Sequence, residues 1–209
     1  MRVNISDTYA KANGKPYDIL IAGSKLFAKY GFQKTTVNEI AREAGVAKGT
    51  MYKYFRSKEE IFSAIMRQEN QRMMQILREG VETETTPIGK IRAYVLVKAL
   101  EFKKAIDSYS ITKEVAYELQ PLIEAERVKF AEEEIRMLES ILQEGVKTGC
   151  FRENSSSLTA RLITAIAKYV DLELATELDD EEIRRTVDKW TDMLQHGISA
   201  KPQGPGGAC

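Results

Sequence analysis

Residues 35–55 read TTVNEIAREAGVAKGTMYKYF, and this stretch decides the fold. Thr36-Val-Asn-Glu39 matches a capping box, in which a threonine hydroxyl and a glutamate carboxylate each satisfy an N–H that a helix start leaves unpaired. Val37, Ile40, Ala41 and Ala44 then recur at helical spacing, so this helix has one apolar face. Gly45 breaks it, and a short helix follows from about Ala47 to Tyr54. Helix, glycine turn, short helix is the sequence form of a helix-turn-helix.

The second of these helices suits a major-groove reader. Such a reader needs small residues at its start, so that its backbone can approach bases, and Ala47, Gly49 and Thr50 supply them. Lys48 is a long donor able to reach base edges or phosphates. Tyr52, Lys53, Tyr54 and Lys58 are candidate phosphate clamps. Gly49 costs a helix interior roughly 1 kcal/mol relative to alanine, which points to close backbone approach by something outside.

Outward from this stretch the chain reads as nearly all helix. Pro16 suits a first helical position, and Ile19, Ala22, Leu26, Phe27 and Tyr30 give that helix its apolar stripe up to Gly31. Ser57-Lys-Glu-Glu60 is a second capping box and opens a long fourth helix to about Gly80. A fifth helix is expected after Pro87 to about Asp107, and a shorter sixth over 110–120. Pro121 is expected to open a seventh that ends before Gly149. The eighth should cover 157–177, and a ninth, capped by Asp179, 180–197. The expectation is an all-α protein of about nine helices. Residues 1–15 form an N-terminal arm, 16–56 the helix-turn-helix module, 57–198 a second helical domain and 199–209 a Pro/Gly-rich tail.

Charge distribution agrees with a DNA-binding front. The 209 residues carry 31 Lys/Arg and 31 Asp/Glu, but the balance is a cancellation. Residues 1–70 hold 12 basic against 7 acidic residues, net +5, and the remainder is net −5. A basic half beside an acidic half implies an electrostatic task for the first.

Other classes are disfavoured. No run of about 18 apolar residues suggests a membrane span. The N-terminus lacks the apolar core of a secretory signal, and two cysteines, Cys150 and Cys209, form no disulfide framework; both fit a cytoplasmic protein. His196 is the single histidine, and no phosphate-binding loop, GxSxG or HExxH motif occurs, so neither an enzyme nor a metal or other cofactor is expected. Glu132-Glu133-Glu134 reads as a solvated helix face. A helical interaction scaffold without DNA binding is the competing reading; it would need neither the basic excess nor the AKGTMYKY helix.

The stretch Ile19–Met66, with Ala22, Leu26-Phe27 and Gly31-Phe32, then Thr35–Phe55, then Ser57-Lys-Glu-Glu-Ile-Phe62, closely resembles the DNA-binding domain of TetR-family transcriptional regulators. The resemblance covers about a quarter of the chain. It implies three N-terminal helices forming the DNA module and a larger helical domain that binds a small molecule and dimerises. It further implies that Thr36 meets phosphate, that Lys48, Gly49 and Thr50 face bases, and that Tyr52, Tyr54 and Lys58 meet phosphates. The family often has histidine where this chain has Tyr54.

The expected mechanism is a two-state switch. A dimer seats two recognition helices in successive major grooves of a palindromic operator, about 34–36 Å apart, and a ligand favouring another separation shifts the population. The expected sign is repression relieved by ligand; activators also exist in the family. Inward-facing candidates for a largely apolar effector are Met66, Met73, Leu77, Tyr94, Phe102, Tyr109, Tyr117, Phe130 and Met137, with Arg127 and Glu114 as polar orienters. For a homodimer interface the stripes Leu158, Leu162, Ile166 and Ile183, Val187, Trp190, Leu194 are the candidates.

Overall fold

The computed structural model describes residues 14–109, 113–152 and 156–198; the expected arm up to residue 13 and the tail from residue 199 lie outside them. The described residues form helices α1 (Lys15–Tyr30), α2 (Val37–Glu43), α3 (Lys48–Tyr54), α4 (Lys58–Glu82), α5 (Pro87–Tyr109), α6 (Lys113–Lys147), α7 (Ser156–Glu177) and α8 (Asp180–Ile198). The chain is all-α, as expected. One boundary differs. The separate helices expected over 110–120 and from Pro121 are a single helix in α6, with Pro121 inside it. Proline removes one N–H and crowds the preceding turn, so it disfavours a helix interior without forbidding it.

The chain divides into two compact units. The first comprises residues up to Arg72 together with Lys104–Lys129, and the second Met73–Lys103 together with residues from Phe130 onward. The helix-turn-helix module shares its unit with the first half of α4 and the first half of α6. Its core holds Ile19, Leu20, Phe27, Phe32, Ile40, Met51, Ile61, Phe62 and Ile65. Leu119 is buried in the same core, with Leu122 and Ile123 packed against it. Phe27, Phe32 and Phe62 form a triangle with centroids 5.2, 5.8 and 5.7 Å apart, tilted or edge-on as aromatic quadrupoles prefer.

The second unit is built around Leu77, Ile91, Tyr94, Val95, Ala99, Leu138, Ala160, Ile163, Ile183 and Val187. Asp179 caps α8 as the sequence predicts. Its Oδ1 accepts from Glu182 N–H at 2.8 Å, and Glu182 Oε2 accepts from Asp179 N–H at 2.9 Å.

The acidic triplet of α6 is a solvated face only in part: Glu132 is exposed, Glu133 half-buried and Glu134 mostly withdrawn. At about 100° per residue, three consecutive side chains point in three directions. Glu132 pairs with Arg161 of α7, Glu133 with Arg78 of α4, and Glu134 with Lys98 of α5. Lys90–Glu144 adds a second tie between α5 and α6, and Arg92–Asp188 ties α5 to α8.

Candidate nucleic-acid interface

The capping box at Thr36 forms. Thr36 Oγ1 accepts from Glu39 N–H at 3.3 Å, and Glu39 Oε2 accepts from Thr36 N–H at 2.8 Å. The threonine hydroxyl also donates to that carboxylate at 2.8 Å. These bonds favour the ionised form and hold the Glu39 carboxyl below its ordinary range, the Thr36 hydroxyl first among the causes. Thr36 is thereby fixed, exposed, at the start of α2.

The turn between α2 and α3 is also fixed by its residues. Gly45 has φ +64°, a conformation that side chains with a Cβ rarely adopt. Val46 N–H donates to Ala41 O at 2.9 Å and Gly45 N–H to Arg42 O at 3.2 Å. This pair of bonds is the Schellman motif, which satisfies the last carbonyls of α2 and sets the exit angle. Met51, fully buried, pins α3 from beneath, and Phe55 closes it.

Fixing Met51 inward turns the rest of α3 outward. Ala47, Lys48, Gly49, Tyr52, Lys53 and Tyr54 are exposed and Thr50 is half-buried. Tyr52 and Tyr54 are 46% and 44% exposed, so both hydroxyls are free to reach a partner outside the protein. Gly49 is the telling position. A Cβ built there meets nothing within 4 Å, and its φ needs no glycine. Nothing in the protein's own packing therefore requires glycine at 49.

Lys58, expected to meet phosphate, is engaged within the protein itself. Its ammonium donates to three carbonyls, Phe32 O at 2.8 Å, Gln33 O at 3.2 Å and Thr35 O at 3.3 Å. It also lies 4.5 Å from the Phe32 ring centroid. An ammonium has three N–H donors, so all are engaged in closing the α1–α2 turn. The sequence missed Glu118, whose Oε1 accepts from Gln33 N–H at 2.7 Å and ties α6 to that same turn. No local motif signals a contact spanning so many residues.

The ligand candidates do not gather in one unit. Met66, Tyr117 and Arg127 belong to the first, and Met73, Leu77, Tyr94, Phe102, Phe130 and Met137 to the second. The side chains of Tyr109 and Glu114 lie outside the described residues. Leu77 and Tyr94 are fully buried core, whereas Tyr117 is 64% exposed. The second unit has a cleft of about 650 Å³, and of the candidates only Met137 lines it, beside Arg78, Val81, Lys90 and Ile141.

The dimer candidates also separate. Ile183 and Val187 are buried in their own unit, with Trp190 and Leu194 packed against the same core. That stripe packs on the core of the second unit, and α8 rests there through it. On α7 the core face is Ala160, Ile163 and Ala167, which leaves Leu158, Leu162 and Ile166 exposed. Periodicity identified both stripes as apolar without saying which was already covered.

Comparison with known proteins decides the identity of the exposed helix-turn-helix. Residues 19–65 match the family model of bacterial regulatory proteins, tetR family. The HTH-type transcriptional repressor KstR2 of Mycolicibacterium smegmatis is 30% identical over 149 residues, covering 70% of this chain and 72% of that protein. This chain belongs to the TetR family. It is a DNA-binding transcriptional regulator and not an enzyme. The fatty acid metabolism regulator protein of Bacillus subtilis is 25% identical over 148 residues, covering 70% of this chain and 76% of that one. The solved fatty acid degradation regulator FadR from Bacillus halodurans superposes with a TM-score of 0.69 at 22% identity, over 87% of this chain and 96% of that one, which shows the shared fold. No helix among the described residues is long and apolar enough to cross a membrane.

Proposed function

We propose that this TetR-family member is a ligand-responsive repressor that binds a palindromic operator as a homodimer and leaves it when a largely apolar small molecule occupies the second unit. The observation that carries the reading of α3 is Gly49, a glycine in the first turn of the helix that faces open space, with exposed Lys48 and Tyr52 near it on the same helix. A Cβ there would meet nothing in the protein but would meet a base edge at close approach. Lys48, Gly49 and Thr50 face bases in this reading, with Ala47 at the helix start. Thr36, Tyr52, Lys53 and Tyr54 hold phosphates. Lys58 is omitted because its donors are already engaged.

Repression is favoured over activation by the relative named as a repressor, which matches over most of both chains. A small-molecule effector of lipid-like character is supported by the relatives named for fatty acid metabolism and degradation. For the dimer, the exposed apolar face of α7, Leu158, Leu162 and Ile166, is the proposed contact, joined by the exposed Met193 of α8. Apolar side chains at i, i+4 and i+8 make a stripe suited to packing against a second copy of itself about a two-fold axis.

A gel shift with DNA from upstream of the protein's own gene tests the core of this reading. A retarded band at moderate salt that small molecules copurifying with the protein abolish is expected. No band with or without them would sink the repressor reading. A monomer by light scattering at micromolar concentration would sink the dimer, and Leu162→Arg should produce that monomer.

A further inference from the structure

Within the second unit the inward face of α5 is not uniformly apolar. Tyr94, Lys98 and Glu101 recur at i, i+4 and i+7, which puts them on one stripe, and all three are buried. Tyr94 Oη donates to Glu134 Oε2 at 2.6 Å. Lys98 Nζ donates to Tyr94 Oη at 3.2 Å and also to the same Glu134 oxygen. The Lys98 side chain keeps 6% of its exposure and that of Glu134 14%. Ile91, Val95, Leu77 and Leu138 belong to the same core.

Three features distinguish this cluster from a merely structural ion pair. Apolar replacements for buried ion pairs are often neutral or stabilising, so stability alone does not call for one here. An ammonium has three donors, and two of those on Lys98 have partners among the described residues. A buried donor left over calls for an acceptor. Finally, the residual exposure of Glu134 gives the cluster a solvent-reachable edge, where that carboxylate can go if another takes its place.

We propose that Lys98 and Tyr94 are the head-group anchor for a monocarboxylate effector with an apolar body, and that Glu134 occupies the anchor until the effector arrives. This rests on the ligand-responsive reading above and names the chemistry of its effector. Exchanging one carboxylate for another never leaves the buried ammonium alone, so the large penalty of an uncompensated buried charge is avoided. A phosphate dianion would bring surplus charge into the core. A neutral alcohol of equal length would break the Lys98–Glu134 pair without replacing its charge. Leu77, Ile91, Val95 and Leu138 are close-packed beside the anchor, so the body of the ligand enters by parting this core.

The test titrates the full chain with decanoate and with 1-decanol, both below their aggregation thresholds, by calorimetry and thermal shift. Decanoate is expected to bind at least about tenfold more tightly than decanol, as a charge-assisted hydrogen bond implies. Lys98→Met should remove that preference. Glu134→Gln should tighten decanoate binding, because a neutral amide competes less well for the ammonium. The double variant Lys98→Met/Glu134→Met leaves no buried charge unpaired, so it should fold and bind the two ligands alike. Equal binding of both ligands by the unaltered protein overturns the proposal, as does failure of decanoate to bind. A preference for decanoate that survives in the double variant overturns it too. The two readings fail separately: if a neutral copurifying molecule releases operator DNA, ligand response stands and the carboxylate anchor falls, whereas if no small molecule alters operator binding, the ligand-responsive reading itself falls.

Discussion

On α3, Lys48, Lys53, Tyr52 and Tyr54 stand in solvent, while on α5 Tyr94, Lys98 and Glu101 are buried among apolar side chains. The two helices put polar residues to opposite uses. On the reader the folded protein gains little from them, so their replacement should leave stability intact and change only what binds. On α5 these three polar groups are buried, so replacement should act on stability first. Recognition and integrity are separable in α3 and coupled in α5.

The sharpest way to break this contrast is Lys98→Ala, which strands Glu134 beside the core. It should cost about 3–5 kcal/mol in denaturant unfolding, the range for breaking one side of a buried pair. A loss below about 1 kcal/mol would show that the pair is effectively solvated. Lys48→Ala should weaken specific DNA binding by about 1–3 kcal/mol, if it reads a base, while changing stability by less than about 0.5 kcal/mol. A loss equal on all sequences would reassign Lys48 to phosphate. Gly49→Ala should stabilise the free protein by at most about 1 kcal/mol, the value for a helix interior, and impair operator binding, a gain and a loss from one methyl group. Unimpaired binding would remove the main support for close approach at that position.

The smallest effect concerns acid. Glu39 and Glu59 are both held below the ordinary carboxylate value of 4.5 by hydrogen bonds, chiefly from Thr36 and Ser57 respectively. A carboxyl depressed in the folded state contributes stability that is fully present above its unfolded value. That contribution fades as pH falls below about 4.5 towards the lowered folded values. The Glu39→Gln/Glu59→Gln variant should therefore lose less stability than the unaltered protein between pH 6 and 3, measured by thermal melts. An identical acid profile would show that these hydrogen bonds are not populated in solution.

Much of the first unit was legible because its signals are local. The capping box at Thr36, the turn glycine at 45 and the apolar spacing that buries Met51 all lie within a few residues of the structure they specify. What was not legible shares another cause. Lys58 has a phosphate clamp's chemistry, but its donors go to Phe32, Gln33 and Thr35, more than twenty residues away in sequence. Glu132–Glu134 looks like one charged face to a linear reading, whereas helical rotation gives each carboxylate a different partner helix. The α8 stripe was correctly apolar, but periodicity cannot distinguish a face covered by its own chain from one awaiting another. Pro121 illustrates the same limit: a residue that favours a helix start does not compel one when the flanking turns continue.

Trp190 is the chain's single tryptophan, half-buried against the core of the second unit. Intrinsic indole fluorescence therefore watches only that unit. An effector that enters it can shift the emission without any DNA present, while melting of the helix-turn-helix passes unseen in the same channel. Comparing that signal with far-ultraviolet circular dichroism, which sees every helix, gives a label-free way to learn whether the two units unfold together or in turn.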